Sequence, residues 1–352
     1  MPDVVFLVQN LAAPSTRIRV TNLLSELQRS GEVRSQIRAI PSGFVRRLRF
    51  FRDLDGFAIV VLQKKLLAPL ELAALRRHAR CLIFDFDDAI YLRDLKGVAE
   101  GETGDRRWRS LSRSLKFSWT IRRCDAVLAG NDYLAAAARR AAGRRKVLVA
   151  VLPSAVPVAG VPQRGEFPEN DPLAVGWVGN SGNLRFVAML GSALAAAAEK
   201  RKFVLRVLCD EMLAIPGVHC THIPWRLDTQ AQEIARFDIG IMPLPDTPWT
   251  RGKCSYKLLQ YMAAGVPFVA SAVGMNIEVA NAGPTGLLAE TATAFTDQLL
   301  RLLADGQLRR DLGRRGRQLA ESRYSTQAVA ARLAGLLARW ATAPPLTART
   351  PP

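Results

Sequence analysis

Residues 238–278 read DIGIMPLPDTPWTRGKCSYKLLQYMAAGVPFVASAVGMNIE. An apolar strand pattern over 238–242 runs into Pro243-Leu244-Pro245, and a polar loop over 246–253 carries Trp249, Arg251 and Gly252. The pattern predicts a compact helix over 255–264, stopped by Gly265 and Pro267, then a second strand over 268–272 ending before Gly274. Strand, loop, helix and returning strand make a βαβ unit. In open α/β sheets a ligand sits at the carboxyl ends of such strands.

The same alternation extends in both directions. Upstream, strands are expected at 4–8, 33–39, 58–62, 81–84, 126–129 and 147–151, with helices at 17–31, 70–79 and 133–142, the last capped by Asn131. Residues 154–172 are rich in Pro, Gly and Val and read as a linker. Strands at 174–178, 203–209 and 218–221 follow, with helices at 184–200 and 229–235. Beyond the opening stretch come helices at 293–304, 307–321 and 325–341, with Ser325 as an N-cap. Apolar strands alternating with helices indicate mostly parallel sheets. The expected division is a first domain over 1–155, a linker over 156–172, a second domain over 173–324, and a disordered tail over 342–352.

A chain of 352 residues can bury two cores of ordinary size. No apolar run reaches the roughly 18–20 residues of a membrane span. The first ten residues, MPDVVFLVQN, lack the basic flank and long apolar run of a secretory signal, so a cytoplasmic protein is expected. Five cysteines without a C-x-x-C pair point to buried thiols rather than disulfides or zinc. The net charge of +18 favours anionic partners, although arginines also decorate solvated faces. The stretch 106–123, RRWRSLSRSLKFSWTIRR, holds basic and apolar residues and no acid. Arg106, Arg107, Trp108, Arg109, Arg113, Lys116 and Trp119 would suit an anionic membrane surface, with 45–52 (VRRLRFFR) as a second patch. The plainer reading is a core-packed helix with a solvated arginine face. No nucleic-acid motif is present, and no nucleic-acid partner is expected.

Three groups of residues carry candidate chemistry. The turn Gly179-Asn180-Ser181-Gly182-Asn183 lies between a strand and a helix, where backbone N–H groups can hold phosphate. Arg251, Lys253 and Lys257 surround the start of the helix over 255–264, a place where a cation opposes the helix dipole unless it serves a bound anion. Gln260 shares a helix face with Lys257. Asp85, Asp87 and Asp88 follow an apolar strand and could meet a substrate hydroxyl, or simply cap a turn. The three histidines have no nucleophile pattern beside them, which argues against a hydrolase triad.

These residues resemble glycosyltransferase family 4, whose members have the GT-B fold: two Rossmann-like, doubly wound domains facing across a cleft. The most specific likeness is GKCSYKLLQYMAAGVP over 252–267, followed by Val273-Gly274; it matches a bacterial subgroup with a G-K-C-x-x-K-L-L-Q-Y-M-A-A-G-x-P segment. Ser15-Thr16-Arg17-Ile18-Arg19, Asp85-Phe86-Asp87-Asp88-Ala89, Ala129-Gly130-Asn131 and Trp177-Val178-Gly179 are also similar to family segments. The resemblance implies transfer of a sugar from a nucleotide diphosphate donor, with retention and without a metal or other cofactor. The acceptor would be a glycan or a lipid-linked glycan in bacterial surface polysaccharide synthesis, handled at the inner membrane face. Lys253 and Lys257 would neutralise the leaving diphosphate, with Arg251, Arg185 and the backbone of Gly179–Gly182 nearby. Asp87 and Asp88, with Arg17 and Arg19, would face the acceptor. Gly274 and Glu278 would approach the donor sugar, and the last helix would return to the first domain.

One departure stands out. The family commonly has two glutamates eight positions apart; here those positions are Gly252 and Gln260. An amide still hydrogen-bonds a ribose, but Gly252 has no side chain to contact a sugar, so Lys253 or Asp246 would substitute. This departure motivates an alternative, a non-catalytic GT-B protein that binds nucleotide or glycan.

Overall fold

The computed structural model describes residues 1–92 and 105–342, the latter without the side chains of 105–110. The chain divides into two compact units. The first comprises Met1–Ala155, Gly252–Cys254 and Thr326–Pro352; the second comprises Val156–Arg251 and Ser255–Ser325.

The first unit is built on strands β1 (Asp3–Val8), β2 (Arg34–Ala39), β3 (Ile59–Gln63), β4 (Leu82–Phe86), β5 (Ala126–Ala129) and β6 (Leu148–Val151). They form one parallel sheet in the order β2-β1-β3-β4-β5-β6. The central strands are buried along their whole length, and apolar but for Gln63 and Asp85 near their carboxyl ends, as strands covered on both faces require. The C-terminal helix Thr326–Thr342 packs beside helix Asn22–Ser30, and its Val329, Leu333 and Leu337 join Val4, Phe6 and Val61 in one core. Burying each such leucine contributes about 1.5–3 kcal/mol.

The second unit repeats the scheme with β7 (Ala174–Val178), β8 (Val204–Cys209), β9 (His219–Pro224), β10 (Ile239–Met242), β11 (Phe268–Ser271) and β12 (Gly286–Ala289). All pairs are parallel, in the order β12-β11-β10-β7-β8-β9. The two doubly wound Rossmann-like units expected from the alternation are both present.

Several local expectations differ from the structure. Residues 156–172 are counted in the second unit rather than as a separate linker: Val156 pairs with Ser325, and Arg164 reaches Asp238 and the carbonyl of Phe167. The helix expected over 184–200 breaks into Leu184–Ala188 and Gly191–Lys200, with Leu190 at the junction ahead of a glycine that costs helix stability. The helix expected over 17–31 opens with a π-turn, Arg17–Thr21, before Asn22–Ser30. Helices Phe44–Arg52 and Met275–Asn281 and strand β12 extend the pattern beyond the elements expected.

Candidate functional site

In the first unit, polar residues collect where β3, β4 and β5 end. Arg19, turned inward on the π-turn and 3% exposed, makes a two-pronged ion pair with Asp85 and donates to the Leu152 carbonyl at 2.6 Å. Burial opposes the Arg19 charge, but Asp85, with Asp87 farther off, outweighs it and holds the guanidinium firmly protonated. Burial also pushes the Asp85 carboxyl upward while Arg19 pulls it down; two hydrogen bonds from a permanently charged guanidinium keep the pair ionised. Arg19, expected on the acceptor side, is therefore a structural clamp on Asp85, with no open surface to offer a ligand. Arg17 beside it is half-buried.

Lys64 is the residue that sequence reasoning missed. It follows β3 at φ 56°, a left-handed conformation rare for a side-chain-bearing residue. Its Nζ lies 2.9 Å from Asp87 and 2.5 Å from Asp88. Burial works against the Lys64 charge, yet the two carboxylates raise its pKa overall. Asp88 is pushed up by burial first and by neighbouring Asp87 second, with Lys64 and Lys253 opposing. Its side chain keeps 31% of its surface, against 13% for Asp87 and 6% for Asp85, so part of that burial penalty is relieved by water. Of the three carboxylates, Asp88 is the one best placed to meet a ligand. A basic pair, Lys64-Lys65, directly after a buried strand was the available signal.

The short segment Gly252–Cys254 packs within this unit. Asn131 caps helix Asp132–Ala142 through Leu134 N–H and also donates to the Lys253 carbonyl at 3.0 Å. The Cys254 thiol donates to the Asp87 carbonyl at 3.1 Å. A Cβ on Gly252 would stand 2.7 Å from the Ala89 Cβ and 3.0 Å from its nitrogen. Close approach explains the glycine: a glutamate has no room here.

In the second unit, helix Tyr256–Ala263 starts from Ser255, whose Oγ donates to Asn276 Oδ1 at 2.7 Å, while Asn276 Nδ2 donates to the Ser271 carbonyl at 3.0 Å. Tyr261 fixes the buried face through its hydroxyl, 3.1 Å from the Ile241 carbonyl. These bonds hold the helix start beside the ends of β10 and β11. Lys257 Nζ lies over the Trp177 ring, 5.4 Å from its centroid. Gly179 makes that stack possible: a Cβ there would fall 2.5 Å from Trp177 and 3.1 Å from Lys257 Cε. Gln260 is buried on the same helix, and Glu278 is half-buried on helix Met275–Asn281. Gly274, at φ 52°, touches the Arg251 backbone.

Other expected contacts are arranged differently. The Ser181 N–H and hydroxyl, offered to phosphate by the sequence, donate to Asp210 at 2.7 and 2.9 Å. Bonds from Cys209 and then Ser181 lower the Asp210 pKa to about 2, so a phosphate would have to displace a firmly ionised carboxylate. Asn180 accepts from Asn183, and the turn around Ser181 and Gly182 is a 3-10 turn before the five-residue helix Leu184–Ala188, too short for a strong dipole. Arg185 lies over Phe186. Arg251 forks onto Asp246 at 2.5 and 2.7 Å. Lys253 and Lys257 fall in different units. Arg106, Arg107, Trp108 and Arg109 lie outside the described side chains; Arg113 and Trp119 are exposed and Lys116 is half-buried.

Residues 173–305 match the family model described as Glycosyl transferases group 1. Apart from Gly252–Cys254, that match lies within the second unit. Lys257, Gln260, Gly274 and Glu278 all lie inside it. Among curated proteins, N-acetyl-alpha-D-glucosaminyl L-malate synthase of Bacillus anthracis is 36% identical over 74 residues, 20% of this chain. That stretch spans only 19% of the relative's length. Among solved structures, the sucrose-phosphate synthase of Thermosynechococcus elongatus superposes with a TM-score of 0.70 at 16% identity, covering 96% of this chain and 99% of that one. Anabaena HepE in complex with UDP and glucose gives 0.69 at 13% identity over 96% and 100% of the two chains. WaaG, a glycosyltransferase involved in lipopolysaccharide biosynthesis, gives 0.64 at 14% identity over 95% and 99%. At these identities the likeness establishes the fold, which is GT-B.

Proposed function

We propose that this group 1 glycosyltransferase moves a sugar from a nucleotide diphosphate donor to a glycan or lipid-linked acceptor in bacterial surface polysaccharide synthesis, with retention at the anomeric carbon. The single observation that carries the reading is the matched domain, whose helix Tyr256–Ala263 presents Lys257 at its start and Gln260 one turn on. The solved HepE complex holds UDP and glucose, which supports a nucleotide-sugar donor by analogy. Lys257 would neutralise the departing diphosphate, and its cation then offsets the charge that develops as the glycosidic bond breaks. Gln260 would hydrogen-bond the ribose as a neutral partner, and Glu278 would accept from donor-sugar hydroxyls. In the first unit Asp88, held by Lys64, would accept a hydrogen bond from the acceptor hydroxyl, with Asp87 supporting the lysine. No metal or cofactor takes part in this scheme. Work on a lipid-linked acceptor would place the enzyme as a peripheral protein on the inner membrane face.

Transfer or donor hydrolysis assayed across UDP-, GDP- and dTDP-sugars tests the proposal, and turnover is expected with at least one. The closed space at Gly252 favours a second reading, a GT-B protein that binds nucleotide without turning it over. Nucleotide binding with no turnover on any donor would decide for that second reading.

A further inference from the structure

The first unit carries a second polar feature at the opposite end of its sheet from Asp87 and Asp88. Arg76 sits in the last turn of helix Pro69–His78, which leads toward β4. Arg122 and Arg123 end helix Asp105–Arg123, just ahead of β5, and Arg144 and Arg145 precede β6. In a parallel sheet these are all amino ends of strands. The five arginines and Trp119 line one cavity of about 620 Å³, within the range of small-ligand sites.

An ion pair and a helix-end contact account for part of this cluster. Arg76 pairs with Asp125, and Arg122 donates to the Ala141 carbonyl at 2.9 Å. They do not account for the rest. Arg123 lies over the Trp119 ring, and among the described residues no carboxylate pairs with Arg122, Arg123, Arg144 or Arg145. The negative ends of the neighbouring helices carry about half a charge each, against the four guanidinium charges left once Arg76 is paired.

The same helix, Asp105–Arg123, adds an apolar element. Among its described side chains Phe117, Thr120 and Ile121 are buried, Phe117 packing on Phe84, Phe86 and Tyr91. Leu111, Leu115 and Trp119 instead stand 51%, 54% and 43% exposed at four-residue spacing, a stripe that runs into the arginine cavity at Trp119. A stripe of exposed large apolar side chains ending in a cationic cavity complements an amphiphile with an anionic head.

We infer that this face docks the enzyme on anionic phospholipid, with the headgroup phosphate in the arginine cavity and Leu111, Leu115 and Trp119 in the interfacial apolar layer. The inference rests on the reading that the acceptor is handled at a membrane, and it assigns the contact to a site separate from the transfer chemistry. It is tested by co-sedimenting the full chain with phosphatidylcholine vesicles and with phosphatidylcholine–phosphatidylglycerol vesicles at physiological ionic strength. Binding is expected only to the mixed vesicles. Arg144→Ala/Arg145→Ala is expected to weaken it roughly thirtyfold, and Leu115→Ser to weaken it independently, both with unchanged melting and unchanged nucleotide binding. Equal binding to neutral vesicles, or full binding by both variants, overturns the proposal. So does arginine-dependent capture of pyrophosphate or RNA without vesicle binding, which would assign the cavity to a soluble anion. Nucleotide binding read on the same samples shows separately whether the transferase reading holds.

Discussion

The two units share one architecture and differ in what holds the residues at the carboxyl ends of their strands. In the first, the charges answer one another: Arg19 clamps Asp85, and Lys64 bridges Asp87 and Asp88. In the second, the helix start is held by neutral bonds between Ser255 and Asn276, and its lysine rests on an aromatic ring where Gly179 leaves space. A polar strand end is thus not by itself a ligand site. The closed cluster of the first unit spends most of its polarity on itself and leaves chiefly Asp88 to the outside. At the second unit's turn, Gly179 leaves space for the Trp177 ring and Lys257 to stack, while Asp210 takes Ser181.

The comparison is broken most forcefully at Arg19. Arg19→Ala leaves Asp85 buried without its partner and is expected to cost about 3–5 kcal/mol, read by urea unfolding. A loss below 1 kcal/mol would mean that the pair is not a clamp. Lys257→Ala should act in the other way, lowering transfer about 10²–10³-fold while melting stays close to wild type. Gly252→Glu, which installs the glutamate common in the family, is expected to destabilise by about 1–3 kcal/mol through its collision with Ala89 and to bring no gain in turnover. Higher turnover at unchanged stability would show that the site accepts the side chain.

The smallest expected effect is a pH dependence at Lys64. Asp88 has a folded-state pKa above its ordinary 3.8, so the native state binds its proton more tightly than the unfolded chain. Stability from this group falls as pH rises from 3.8 through the raised value. Lys64 opposes that loss, since its own raised pKa contributes stability at all pH values below about 10.5. In Lys64→Met the fall as pH rises above 3.8 should steepen, because loss of the ammonium leaves burial and Asp87 to raise the Asp88 pKa further. A variant whose deficit narrows with rising pH would reverse the assignment.

The alternation of buried strands and helices was readable in the sequence because parallel strands covered on both faces have to be apolar, as in Val4–Val8 and Ile239–Met242. So was the Asn131 cap, whose side chain does accept from Leu134. The weak periods were missed: β12 is only four residues, three of them half-buried, and helix Met275–Asn281 spans barely two turns. At the site, residue types were readable and partners were not. Nothing in the spacing relates Arg19 to Asp85, 66 residues away, or Ser181 to Asp210, because both pairs form only when neighbouring strands align. Gly252 read as a missing glutamate until Ala89 was seen against it.

The most direct measurement is thermal stabilisation of the wild-type chain and Lys257→Ala by a panel of nucleotide sugars. If the second unit is the donor site, one donor at 100 times its Kd should stabilise the wild type by about 2.7 kcal/mol. The same concentration should stabilise Lys257→Ala markedly less. No stabilisation by any donor, or equal stabilisation of both proteins, would contradict the assignment of the donor site to Lys257 and its helix.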